Sequence, residues 1–288
     1  MRKIRIRSLA IFLIIVIIAG LLTGCSKEAE KKPAKEDQKK ELPSELKSMG
    51  KELEKLISQL EQTAGIMGLV CLPEQSGGGE QSGAGEGKKS QGGSSGEEEG
   101  KGSQSAGQES SNMQDHWSKI GEGVNKLHQN WNQTEAVVVK EGLASEIRDG
   151  FENSLEELTI NVDRKSIEGS ILASLKAYGY YPEMVQLFNS RIPAEFFALK
   201  HRTMLINYYS AQEKWVEAQA ELPKLKTQWE ILKKSEALKD KEISQRTENS
   251  LKDLESAVSR QESCLVQIKS DIVFKNLDEV EKKLNSSM

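Results

Sequence analysis

Histidine, cysteine and aromatic side chains are scarce in this chain of 288 residues, which holds three histidines, three cysteines and an aromatic content of 5%. The shortage narrows the chemistry available. His116, His128 and His201 are scattered, none has a glutamate three residues before it, and no H-E-x-x-H occurs. Neither the paired Glu-x-x-His of a di-iron bundle nor the helix of a zinc protease is therefore on offer, and no metal site or cofactor is expected. Basic excess is missing as well. The chain carries 40 Lys+Arg against 44 Asp+Glu, a formal net charge of −4. A nucleic-acid surface needs a basic face with aromatics on which bases stack, so the balance argues against nucleic acid as a partner. β-Structure is equally thin: Val137-Val138-Val139 is the one β-like run, too short and isolated to argue for a sheet.

Long apolar runs are also absent after the first 24 residues, and that makes the exception informative. Arg2, Lys3, Arg5 and Arg7 precede an apolar stretch from Leu9 to Leu22, which is too short for a comfortable membrane-spanning helix and reads as the core of an export signal. Small Thr23 and Gly24 then leave the backbone open to a processing enzyme, and the chain turns polar at once with Ser26, Lys27 and Glu28. The step Leu22-Thr23-Gly24-Cys25 resembles the lipobox of bacterial lipoproteins. The resemblance covers the signal alone. It implies that residues 1–24 are removed, that Cys25 is diacylated through its sulfur and becomes the first residue, and that the protein is held at the extracytoplasmic face of the cell membrane. Two acyl chains, at roughly 0.8 kcal/mol per buried methylene, hold a protein stably where one does not. Removing the four basic residues of the signal leaves 36 basic against 44 acidic residues, a balance of −8.

Beyond Cys25, Cys71 and Cys264 allow one disulfide, which an exported protein can keep. The alternative is that both serve as small hydrophobes. If joined, they would close a long loop with a nominal gain of roughly 4–5 kcal/mol.

Composition divides the mature chain. Residues 25–43 comprise the lipid-bearing cysteine and a charged spacer with almost nothing to bury. In residues 44–73, Leu46, Met49, Leu53, Ile57 and Leu60 recur at three- and four-residue steps, the mark of an amphipathic helix. Residues 74–112 are dominated by Gly, Ser, Gln and Glu and hold no large apolar side chain. They read as a flexible linker with an end-to-end distance of roughly 35 Å, able to lift a distal domain from the bilayer. Ser94 sits in a G-x-S-x-G match within this stretch, but without the strand and helix that a nucleophile elbow requires. Composition alone produces such matches.

From 113 to 288 the periodicity is helical. Trp117, Ile120, Val124, Leu127 and Trp131 share one stripe; Leu143, Ile147, Phe151, Leu155, Leu158 and Val162 share a second. A third helix from about Ser166 is expected to be disturbed near Gly179 and Pro182. Further stripes follow Pro193, a turn near Gln212-Glu213-Lys214, and a long final helix with a shifted face after Ile272. One-faced helices need each other's cover, so the expected fold is all-α, an antiparallel helical bundle on a disordered tether. Tyr208-Tyr209 with Trp215 and Ala218 looks like the turn of a tetratricopeptide repeat, but a single copy reads as a helical hairpin, since repeats need about three units to bury a core. Trp117 with Trp131 and Trp215 with Trp229 are each two heptads apart. That spacing suits core packing, with a ligand or partner cleft as the sharper reading. Without a recognisable catalytic set, the leading expectation is a non-enzymatic interaction or scaffold module that meets an envelope protein or polymer. The alternative is capture of a solute or metal for a membrane partner. Heptad stripes leave the oligomeric state open.

Overall fold

The computed structural model describes residues 39–67, 102–235, 238–239 and 241–286. The lipobox with Cys25, the spacer up to residue 38, Cys71 and Ser94 lie outside the described residues. Among the described residues there are eight α-helices and no strand: α1 (Ser44–Ile66), α2 (Gly102–Lys140), α3 (Ser145–Asp163), α4 (Ile167–Gln186), α5 (Ala194–Ala211), α6 (Trp215–Leu232), α7 (Lys241–Arg260) and α8 (Ser263–Ser286). None is long and apolar enough to cross a membrane.

The apolar stripes become the core. Leu46, Met49, Leu53, Ile57 and Leu60 of α1, and Trp117, Ile120, Val124, Leu127 and Trp131 of α2, are all buried. Burying each large side chain contributes roughly 1.5–3 kcal/mol before entropy is counted. Packing closes two rings. Helix α1 packs on α2 and α4, with α2 on α3 and α3 on α4; in the second ring α5 packs on α6 and α8, with α6 on α7 and α7 on α8. Helices α4 and α5 join the rings. Glu54 meets Lys200 and Glu61 meets Asn207, so α1 and α5 run the same way on either side of the junction, while α8, with Asp271 near Glu61 and Glu281 near Gly50, runs against both.

Helix α1 is therefore part of the head. The expected layout, an amphipathic helix at 44–73 set apart from a bundle at 113–288, is corrected on this point, because residues 39–288 form one unit and the α1 stripe has no free face. The α2 backbone is helical from Gly102, which places the helix start before the expected end of the linker at 112. The segment ahead of α1 is stitched to the α4–α5 loop: the Asn189 N–H donates to the Lys40 carbonyl (2.7 Å) and the Leu42 N–H to the Asn189 carbonyl (3.2 Å).

Helix ends differ from expectation in two places. Helix α4 continues through Gly179 and Pro182 to Gln186. A Cβ at Gly179 would lie 2.7 Å from the His201 ring, so glycine there lets α5 approach closely rather than ending the helix. The long last helix divides into α7 and α8 at Gln261, whose φ is 56°. The same closing device recurs. Helix α2 ends with Gly142 at φ 95°, and the Leu143 N–H reaches back to the Val138 carbonyl (3.0 Å), a Schellman cap. Helices α3 and α5 end alike with Lys165 and Glu213 at positive φ, their next residues bonding to the Asn161 and Tyr209 carbonyls.

Candidate functional site

The rings do not close on each other along their whole length. Between α1, the start of α4, α5 and α8 lies a cleft of about 630 Å³, within the range of small-molecule sites. Its depth is set by two polar spans from α1. Glu54 accepts from Lys200 Nζ of α5 (2.6 Å) and from the Tyr178 hydroxyl of α4 (2.6 Å). Glu61, seven residues on, accepts from Asn207 Nδ2 of α5 (3.4 Å). At 1.5 Å per residue the two carboxyls stand about 10 Å apart along the helix. Asp271 and Asp278 repeat the interval on α8 and line the same cleft. Because α8 runs against α1, Asp271 faces Glu61 while Asp278 lies toward Glu54.

Six carboxylates line the cleft (Glu54, Glu61, Glu168, Glu213, Asp271 and Asp278) against one ammonium, Lys200. The walls between them are apolar, with Ile57, Ile171, Met204 and Phe274. Burial pushes the Glu61 carboxyl up to about 7; the Asn207 amide draws it back and the Asp271 charge raises it further. Asp271 is also raised by burial, with Lys275 opposing. Burial and the neighbouring Glu54 hold the Tyr178 phenol far above its ordinary range, so it serves as a neutral donor. A smaller cavity of about 170 Å³ lies on the far side of Glu54, beside the Lys40–Asn189 strap, with Gly50, Tyr181 and Glu281 in its wall.

The residues singled out in the sequence go elsewhere. Trp117, Trp131 and Trp229 are buried in the rings and Trp215 is half-buried; none lines the cleft. Trp131 packs on Phe151 with ring centres 4.6 Å apart and donates to Glu152 (3.1 Å). His128 bonds Thr159 Oγ1 (2.8 Å). His201 is buried with Nε2 unpartnered; burial, and then the nearby Arg202 charge, lower its pKa to about 4, so it is neutral at pH 7. No cluster of three or more His, Cys, Asp or Glu suited to a metal ion occurs among the described residues. Cys264, at the start of α8, is disulfide-bonded.

Glu54, Glu61, Lys200 and Asp271 were not expected, because in sequence they belong to mixed-charge faces that normally meet water. A signal was there in retrospect: acids at a seven-residue interval flank the apolar stripes of both α1 and α8. No protein-family model matches this chain, and neither a curated protein nor a solved structure matches it.

Proposed function

We propose that this protein is a lipid-anchored binding protein of the extracytoplasmic membrane face, whose helical head captures a ligand in the cleft between its two rings and performs no chemistry on it. The cleft carries this reading: its volume suits a small ligand, and its polar groups are placed to hold rather than to attack. Lys200 is engaged by Glu54, and the Ser263 hydroxyl donates to the Ser210 carbonyl (2.7 Å).

The anchor reading supports a head held close to the bilayer. With α1 inside the head, the tether from Cys25 to Lys39 is fourteen residues, at most about 50 Å when fully extended. The segment between α1 and α2 begins and ends on the same body, so it does not set the reach. Cys71 is the partner proposed for Cys264, since the sulfur of Cys25 carries the lipid.

Native mass spectrometry of the full lipoprotein, extracted in mild detergent, tests capture. A bound small molecule is expected, and it should disappear when Ala211→Trp fills the cleft. Intact mass should show a diacylated chain beginning at Cys25, with Cys25→Ser retaining residues 1–24. A product that keeps its signal in the unaltered protein removes the anchor.

The second reading, contact with an envelope protein or polymer, is favoured by Ile268 and Ile272 of α8, which are 51% and 38% exposed. A pull-down from solubilised envelope that recovers a partner insensitive to Ala211→Trp, with no small ligand in the native spectrum, would select contact over capture.

A further inference from the structure

We infer that the cleft takes an aliphatic polyammonium, an extended cation with at least two amines separated by methylenes. This rests on the capture reading above and names the ligand class for that site.

Sign comes first. One ammonium stands among six carboxylates, and Glu54 already neutralises it. Neither Glu61 nor Asp271 makes an ion pair among the described residues, and Lys275 offsets the Asp271 charge only in part. Glu61 on α1 looks across to Asp271 on α8, with Glu168 of α4 and Tyr208, Lys200 and Glu213 from the α5 side on the same lining. Its one hydrogen bond among the described residues is the long 3.4 Å contact with Asn207. An enclosed carboxyl with so little satisfaction is costly, and a cation seated between Glu61 and Asp271 removes both the repulsion and the shortage of donors.

Shape follows. A compact divalent ion needs several oxygens converging on one point, and no such group occurs among the described residues. Here the acids form two tiers, Glu61 with Asp271 and Glu54 with Asp278, about 10 Å apart along antiparallel helices. Ile57, Ile171, Met204 and Phe274 line the space between the tiers. Charge at both ends and apolar walls in the middle match amines joined by a methylene chain, which keeps its stem on the apolar surface and its heads in the polar tiers. A single amine would satisfy one tier, and an anion neither.

Titration calorimetry on the full, detergent-solubilised lipoprotein tests this with spermidine as the probe and n-butylamine and glutarate as comparisons. Spermidine should bind one to one at pH 7, butylamine about tenfold or more weakly, and glutarate not at all. Glu61→Gln and Asp271→Asn should each weaken spermidine by about tenfold or more, with helical content unchanged by circular dichroism. Seating an amine beside Glu61 expels its proton, so the heat in PIPES and in Tris should differ by a proton release that vanishes in Glu61→Gln. The assignment is overturned if spermidine gives no heat, if neither substitution weakens it, or if only a lysine-rich peptide binds. Should spermidine be silent while the native spectrum shows another ligand lost on Ala211→Trp, the ligand class fails and the capture reading stands.

Discussion

Glu54 hydrogen-bonds α1 to a helix of each ring, and replacing it with alanine tests whether that grip matters. Its carboxylate meets the Tyr178 hydroxyl of α4 and the Lys200 ammonium of α5, both at 2.6 Å. The Lys200 side chain is 8% exposed and that of Glu54 27%, so the pair is shielded from water on most sides. Removing one partner of a buried pair leaves an uncompensated charge, which costs about 3 kcal/mol at the low end of the usual range. The low end applies because Lys200 lines the cleft, where water can reach it. The stranded Tyr178 hydroxyl adds about 1 kcal/mol. The expected loss for Glu54→Ala is therefore about 4 kcal/mol, or roughly 10 °C in Tm for a body of this size. Urea and thermal unfolding followed by tryptophan fluorescence and circular dichroism measure it directly. Pairing Glu54→Gln with Lys200→Met removes both charges and should restore at least half of the loss, since no buried ion then lacks a partner. A cost for Glu54→Ala below about 1 kcal/mol would refute the reasoning, because Lys200 would then be as well solvated without its partner as with it.

Helix α1 also bears on a second prediction: a Cβ at Gly50 would meet the Tyr181 ring at 2.3 Å, whereas one at Gly121 meets nothing within 4 Å. Gly50→Ala should cost about 1–3 kcal/mol through overpacking, and Gly121→Ala should stabilise by about 0.5–1 kcal/mol; equal effects would contradict the packing of α1 on α4. Stability should depend on pH through two opposed groups. His201, lowered from 6.5 to about 4, takes up a proton on unfolding between those values, so its contribution is complete above pH 6.5 and falls on acidification by on the order of 3 kcal/mol. Glu61, raised from 4.5 to about 7, acts in reverse: stability is complete below pH 4.5 and declines as pH rises through 7, by on the order of 3 kcal/mol. Urea midpoints measured from pH 4 to 8 should therefore show only the acid-side fall in Glu61→Gln and only the fall toward high pH in His201→Gln. A flat profile in Glu61→Gln would rule out the His201 contribution. Finally, Cys71→Ser should expose the Cys264 thiol to maleimide without reductant, while the unaltered protein resists labelling; equal labelling of both would exclude the proposed pairing.

Much of the helical architecture was legible because amphipathic periodicity is local. The stripe from Trp117 to Trp131 and that of α1 both became core, and the turn at Gln212-Glu213-Lys214 ends α5 through the positive φ of Glu213. The break between α7 and α8 was not legible. Gln261 adopts a left-handed conformation that glycine or asparagine ordinarily announces, and the polar run Arg260-Gln261-Glu262 fits the solvent face of a continuous helix equally well. The continuation of α4 past Gly179 was hidden for a related reason: glycine within a helical pattern marks an end or a close approach alike, and only the position of His201 separates the two.

By itself the sequence determined which segments are helical and which face of each is apolar; the lipid anchor that a short apolar run and residues 22–25 suggest is a proposal for intact mass to test. The helical properties reside in neighbours along the chain, where a 3.6-residue period suffices to express them. Tertiary structure alone decided that α1 joins the head rather than standing apart, and that Glu54, Glu61, Lys200 and Asp271, drawn from three helices more than two hundred residues apart at the extremes, border one cleft. Whether a carboxylate meets water or another carboxylate depends on which helix packs beside it, and the apolar stripes that drive packing are too alike to name their partners in advance.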